Sequence, residues 1–284
     1  MKRMAQSSIG YKGIGADGRP ISWYYGWNPG GFGCSGGCDG CWARRMAVRA
    51  KCLDCRAFKV HTHPERLGQP AATKRPGVVL CNFTNDWLDP MRSNQEVSKF
   101  VCGMQPPHIY VTLTKNVERL AAMITPTSYQ PLVDRMYNGL TIRNQAAADA
   151  KLPVFLNIKG NLWLSMEPLW GPTDILPALV WTCLGCGKTQ TIPVCGCGDH
   201  AHDHRISGII IGHDNRRGAP GTDTLDHVRS VVCQCKSAGA RVYVKQLWLT
   251  PQSSGVPRLC TETREFPSDL RLRDLPWSMP KEAK

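Results

Sequence analysis

Short apolar runs rich in β-branched and aromatic residues recur along the chain. They fall at 21–27 (ISWYYGW), 77–83 (GVVLCNF), 108–114 (HIYVTLT), 138–142 (NGLTI), 161–166 (NLWLSM), 206–212 (ISGIIIG) and 241–247 (RVYVKQL). Between them lie segments whose apolar residues have helical spacing, at 41–50, 116–123, 144–151 and 222–239, with a further helix-like stretch, TDILPALV, just before residue 181. Strands that alternate with helices predict βαβ units around a parallel sheet. Six or seven such units predict an α/β fold of the open or closed (β/α) barrel type, with its site at the carboxyl ends of the strands.

Two stretches break this rhythm. WTCLGCGKTQTIPVCGCGDHAHDHR (181–205) has almost no apolar period and is expected to be a metal-stapled insertion. AKCLDCRAFKVHTHPERLGQPAATKRP (50–76) is a basic connection containing both Cys and His. From about residue 250 the chain is rich in Pro, Ser and charge, and a loosely packed extension over 251–284 is expected there. The organisation so read is a barrel-like body over 1–250, the insertion at 181–205 within it, and that extension.

Composition changes the picture in two respects. Thirty-five Lys and Arg against 22 Asp and Glu give a net charge of +13, which suits a polyanionic partner such as nucleic acid. Arg216 and Arg217 in RRGAPG and Lys74 and Arg75 in TKRP supply local positive charge, but few aromatic residues neighbour them in sequence, so no base-stacking platform is expected. The second respect is cysteine: 14 residues, close-spaced and wrongly arranged for a secreted disulfide scaffold. No apolar run follows the basic start MKRMAQSSIGYKG, so a secretion signal is not expected, and no segment nears the roughly 20 apolar residues that cross a bilayer. A cytoplasmic protein using its thiols for metals is the expectation.

Cys34, Cys38 and Cys41 fall within eight positions, separated only by Gly, Ser and Asp, between a strand run and a helix. Small residues let the backbone wrap closely around a metal centre. Three thiolates leave one iron of a 4Fe-4S cluster without a protein ligand; a zinc knob with a fourth ligand elsewhere is the alternative. Cys183, Cys186, Cys195 and Cys197 lie on two glycine turns and read as a zinc ribbon, with His200, His202 and His204 as spare ligands and an auxiliary iron-sulfur cluster as the rival. Cys52 and Cys55 with His61 and His63 could form a second metal site, although one residue between the histidines is shorter than the usual zinc-finger spacing. Cys233 and Cys235 should face different ways on a helix, and Cys81 and Cys102 are expected to be small buried residues.

The chain also resembles a family. The Cys-x3-Cys-x2-Cys spacing resembles the signature of radical S-adenosylmethionine enzymes, and GWNPGGFGC, CDGCWARRMA, HPERL, NFTNDWLDP, VTLTKNVERL, LTIRNQAAAD, LSMEPLWGPTDI, IIIGHDNRRG and SAGARVYVKQLW resemble, in that order, a phage-associated three-cysteine group of radical-SAM-like proteins of unknown function. Gly40 stands where radical enzymes usually carry an aromatic residue, and Arg143 and Asp214 replace acidic residues of relatives. The resemblance implies a partial (β/α)6 barrel with an inserted zinc ribbon, a 4Fe-4S cluster on Cys34, Cys38 and Cys41, and S-adenosylmethionine as cofactor. It implies cofactor-binding roles for Asn85, Asp86, Thr114, Ser165 and Asp214 and catalytic roles for Asp86, Lys115, Glu167 and Lys245, with Gln246 beside the last. An electron donor such as flavodoxin or ferredoxin is implied, as is a phage-encoded protein in a bacterial host cytoplasm. The expected activity is hydrogen abstraction in modification or repair of a nucleic-acid base or nucleotide. A small metabolite or peptide substrate, or a non-catalytic zinc-stapled nucleic-acid-binding protein, are the alternatives.

Overall fold

The structure, a computed structural model, describes residues 2–7, 11–124, 132, 134–182, 189–190, 206–216, 225–250 and 255–280. It is a mixed α/β protein whose strands are largely parallel and divides into two compact units: Met1–Lys12, Ile21–Gly139 and Ser278–Lys284; and Gly13–Pro20 with Leu140–Trp277.

In the first unit β1 (Tyr24–Trp27), β2 (Val78–Cys81) and β3 (Ile109–Thr114) run parallel in that order, and the two-residue strand Ala5–Gln6 pairs antiparallel with β1. All four residues of β2 are buried, as expected of a parallel strand covered on both faces. The helices of this unit include α1 (Trp42–Ala47), α2 (Leu53–Arg56), α3 (Asn94–Gly103) and α4 (Val117–Met123). β4 (Met136–Thr141) begins here, where Tyr110 donates its backbone N–H to Arg135 and Thr112 its hydroxyl to Asn138.

The apolar-run reading misses α3, whose start is nevertheless written in the sequence. Ser93 accepts from the Glu96 N–H at 3.2 Å and Glu96 accepts from the Ser93 N–H at 3.0 Å, a reciprocal capping box. Val97, Phe100 and Val101 then give it a buried face. Ser93→Ala is expected to lower unfolding free energy by about 1 kcal/mol in urea titrations.

In the second unit β5 (Asn161–Met166), β6 (Ile206–Gly212) and β7 (Arg241–Leu249) are parallel in that order, with α5 (Gln145–Phe155) before them and α6 (Leu225–Ser237) between β6 and β7. Val228, Val231, Val232 and Cys235 form the buried stripe of α6, while Cys233 is exposed. Gln234 on the same helix accepts from the N–H groups of Ile175 and Leu176 and donates to the Thr173 carbonyl, fixing the turn after β5.

Two expectations need correction. The stretch after residue 250 is not loosely packed where it is described: β8 (Arg258–Cys260) adds antiparallel to β7, and Phe266, Leu270, Leu275 and Trp277 are buried. Trp277 meets Trp163 edge-on with ring centroids 5.3 Å apart. Its apolar residues are too thinly spaced to signal a core element, yet each fills a place in one. Cys81 is buried as expected, but Cys102 is exposed, because it lies on the outer side of α3.

Candidate functional site

The loop after β1 carries Cys34, Cys38 and Cys41, all half-buried with free thiols. Cys41 immediately precedes α1, and Phe32, Cys34, Cys41 and Trp42 pack against Ala43, Ala47 and Phe58. Cys34 accepts from the Gly36 N–H at 3.3 Å. A side chain at Gly36 would start 3.3 Å from Cys34 Sγ and 3.8 Å from Cys38 Sγ, so glycine keeps the space between these thiols clear. Beside them an open pocket of about 430 Å³ is lined by Gly37, Cys38, Asp39, Gly40, Cys41, Arg44 and Arg45.

The loop is held by residues of the motif NFTNDWLDP, of which the sequence singled out Asn85 and Asp86 but not Asn82, Thr84 or Asp89. Asp89, 1% exposed, accepts from the Ser35 N–H at 2.6 Å and from its hydroxyl at 3.0 Å. Asn82 accepts from the Gly30 N–H, and Thr84 and Asn85 both donate to the Gly31 carbonyl. Arg92 donates to the carbonyls of Gly30 and His61, and Arg119 to those of Asp89 and Arg92. The motif's density of short polar residues was the available signal; their targets, backbone groups some 50 residues away, were not. Burial pushes the Cys34 thiol pKa up, and the nearby Asp86 and Asp89 carboxylates add to it despite the Gly36 hydrogen bond. A metal must therefore displace a firmly held proton there.

Asp86 and Thr114 are brought together: the Thr114 hydroxyl donates to Asp86 Oδ1 at 2.7 Å. Asp86 also accepts from the N–H groups of Leu88 and Lys115 and the amide of Asn116, so both its oxygens are engaged by the protein. Asn85 is likewise bonded to Asn82 and Gly31. These residues tie the ends of β2 and β3 together beside the cysteine loop, and Lys115 is partly exposed there.

In the second unit Ser165 is buried on β5, and Glu167 just beyond its end pairs with Lys245 of β7 at 2.6 Å. Glu167 is 11% exposed and Lys245 37%. Gln246 donates to the His213 carbonyl. Asp214 accepts from the Arg216 side chain at 2.8 Å and from Trp170 Nε1 at 3.4 Å, and Trp248 Nε1 donates to its carbonyl at 2.7 Å. Burial opposes ionisation of Asp214, but the Arg216 hydrogen bonds and charge outweigh it and hold the carboxyl below the ordinary carboxylate range. Arg143 lies over the Trp170 ring, 4.5 Å from its centre. In the structure Trp170 and Trp248 reach the same Asp214 as Arg216, and Trp23 lies under Arg75 at 5.0 Å. Long-range folding, not sequence proximity, assembles these pairs.

Cys52, Cys55, His61 and His63 also come together, with one ligand atom from each lying within 4.8 Å of all the others. This cluster could hold a metal such as zinc. Cys183, Cys186, Cys195 and Cys197, with His200, His202, His204 and Arg217, lie outside the described residues.

A family model described as Protein of unknown function (DUF5131) matches residues 19–263. The chain belongs to that family. The DUF5131 match takes in the three-cysteine loop, the Cys2His2 cluster, both polar groups at the strand ends and the cysteines of 181–205. No curated protein and no solved structure matches the chain. Among the described residues no helix is long and apolar enough to cross a membrane.

Proposed function

We propose that the protein is a radical S-adenosylmethionine enzyme of the phage-associated three-cysteine kind, on a partial (β/α)6 barrel with a zinc ribbon at 181–205. The observation that carries this reading is the loop after β1: three half-buried free thiols, a glycine between them whose side chain would fill the space at two sulfurs, and an open pocket lined by Cys38 and Cys41. Three thiolates suit a 4Fe-4S cluster that keeps one iron for the cofactor's amino and carboxylate groups. When bound, the cluster and S-adenosylmethionine would supply one-electron cleavage of the sulfonium to a 5′-deoxyadenosyl radical that takes a hydrogen atom from the substrate.

The chain's own residues do the rest. Asp89, through Ser35, fixes the loop between Cys34 and Cys38. Arg44 and Arg45 give the pocket a cationic side that suits a carboxylate or an acidic electron donor such as flavodoxin or ferredoxin. The Asp86–Thr114 pair sets the backbone on which Lys115 is presented. Glu167 and Lys245 form an ion pair at 2.6 Å whose partly exposed amine is offered to a polar group of the substrate. The excess of 35 basic over 22 acidic residues supports a nucleic-acid base or nucleotide as substrate. Such chemistry requires a reducing cytoplasm.

The test is anaerobic purification and reconstitution, followed by iron, sulfide and zinc counts and electron paramagnetic resonance of the reduced protein. About four irons and four sulfides per chain, with a signal that shifts on adding S-adenosylmethionine, are expected. Zinc without iron would overturn the reading in favour of a non-catalytic metal-stapled binding protein, which the Cys2His2 cluster favours on its own.

A further inference from the structure

We infer that Cys52, Cys55, His61 and His63 bind a zinc ion whose role is to clamp the glycine loop leading into Cys34. This stands independently of the radical-enzyme reading, because it concerns only these four side chains and the backbone they touch.

The geometry first fits the ion. His61 Nε2 lies 3.7 Å from Cys52 Sγ and 3.3 Å from Cys55 Sγ, His63 Nε2 lies 3.3 Å from Cys55 Sγ, and the two Nε2 atoms are 3.0 Å apart. A zinc tetrahedron with the usual bond lengths has edges of about 3.3–3.8 Å, so these four distances lie within a few tenths of an ångström of a loaded site. The single residue between the histidines suffices because Thr62 turns away and donates to Glu96 at 2.7 Å.

The proton arrangement then asks for a cation. His61 Nδ1 lies 2.8 Å from the Lys59 carbonyl and His63 Nδ1 lies 2.9 Å from Glu65 Oε1. Both partners accept, so each ring donates from Nδ1 and turns its Nε2 toward the other ring and the sulfurs, the orientation of a metal-bound histidine. A divalent ion placed between the two Nε2 atoms and the two sulfurs would take all four as ligands, with the Nδ1 partners holding the rings in place. With four protein ligands the site is closed, which makes it structural.

Its position gives it the clamp. Gly31 has φ +60°, and a side chain there would start 2.8 Å from His61 Nε2 and 2.9 Å from Cys55 Sγ, so only glycine lets the loop lie on the cluster. Phe32 donates its N–H to Cys55 Sγ at 3.4 Å, and the His63 N–H donates to the Pro29 carbonyl at 2.6 Å. At Gly33 a side chain would meet the Lys59 carbonyl at 1.9 Å. Residues 29–33 are therefore seated on the metal ligands directly before the first cysteine of the three.

The experiment uses the full chain carrying Cys183→Ser, Cys186→Ser, Cys195→Ser and Cys197→Ser, so that one thiolate set remains besides the three-cysteine loop. About one zinc per chain is expected by elemental analysis, falling to about zero when Cys55→Ser or His63→Ala is added. Cobalt exchanged into the site should give the absorption of a tetrahedral thiolate complex, lost in the same variants. Stripping the zinc should speed amide exchange at Gly31 and Phe32 by at least about tenfold. A zinc count that does not fall when Cys55→Ser and His63→Ala are combined would overturn the site, and unchanged exchange after zinc loss would overturn the clamp. Should the four-serine variant not fold, the intact chain serves, with Cys55→Ser expected to lower its zinc count by one. Iron counted on the same samples separates the readings: zinc without iron sinks the radical enzyme alone, iron without Cys55-dependent zinc sinks this inference alone.

Discussion

Cys34→Ala is expected to abolish iron-sulfur cluster assembly, taking iron and sulfide in the reconstituted protein from about four per chain to near zero and removing the paramagnetic signal. Cys38 and Cys41 alone leave two of four irons without a protein thiolate, and no fourth thiol stands on the same loop to replace the lost one. The loop itself should survive, since Ser35 remains bonded to Asp89 and Gly30 and Gly31 to Asn82, Thr84 and Asn85. Loss of one half-buried sulfur costs about 1 kcal/mol at most, so circular dichroism and the melting temperature should change little. Cys102→Ala, at an exposed thiol on α3, provides the matched control and should leave iron unchanged. A Cys34→Ala protein with a full complement of iron and sulfide would remove the three-cysteine loop from the proposed chemistry.

Trp277→Ala should destabilise the second unit by about 3–5 kcal/mol. The side chain is fully buried and its edge-on contact with Trp163 anchors the segment after β8 to β5. Removing it leaves a cavity that the surrounding sheet cannot close, since Trp163 is itself fully buried. The neighbouring ties would be loosened too: the Leu275 N–H donates to the Ile14 carbonyl, and Arg273 stacks on Tyr243 at 4.7 Å. The measurement is urea unfolding followed by tryptophan fluorescence and by circular dichroism. A change below about 1 kcal/mol would mean that the segment is an appendage after all, as its composition suggests.

The seven apolar runs and most of the helices between them were legible in the sequence because parallel strands covered on both faces read as continuous Val, Ile, Leu and aromatic stretches. The Cys2His2 cluster was partly legible for a similar reason: Cys52 and Cys55 lie so close in sequence that local chain geometry brings them near each other. The capping box of α3 was equally local and could have been read from Ser93 and Glu96. The segment after residue 250 was misjudged because isolated Phe266, Leu270 and Trp277 carry no period; burial there depends on what they dock against.

The sequence by itself determined the strand-helix alternation, the small-residue loop around three thiols, and the charge that makes a polyanionic partner plausible. Tertiary structure alone decided that Asp89 and Arg92 hold that loop, that Asp86 spends its oxygens on Thr114, Lys115 and Asn116, and that Trp170 and Trp248 gather at Asp214. It also decided that His61 and His63 aim their Nε2 atoms at the Cys52–Cys55 pair. The physical reason is range. Apolar periodicity and ligand spacing act over a few residues, whereas a hydrogen bond to a buried carbonyl or the facing of two imidazoles is fixed only when distant segments are packed in one register.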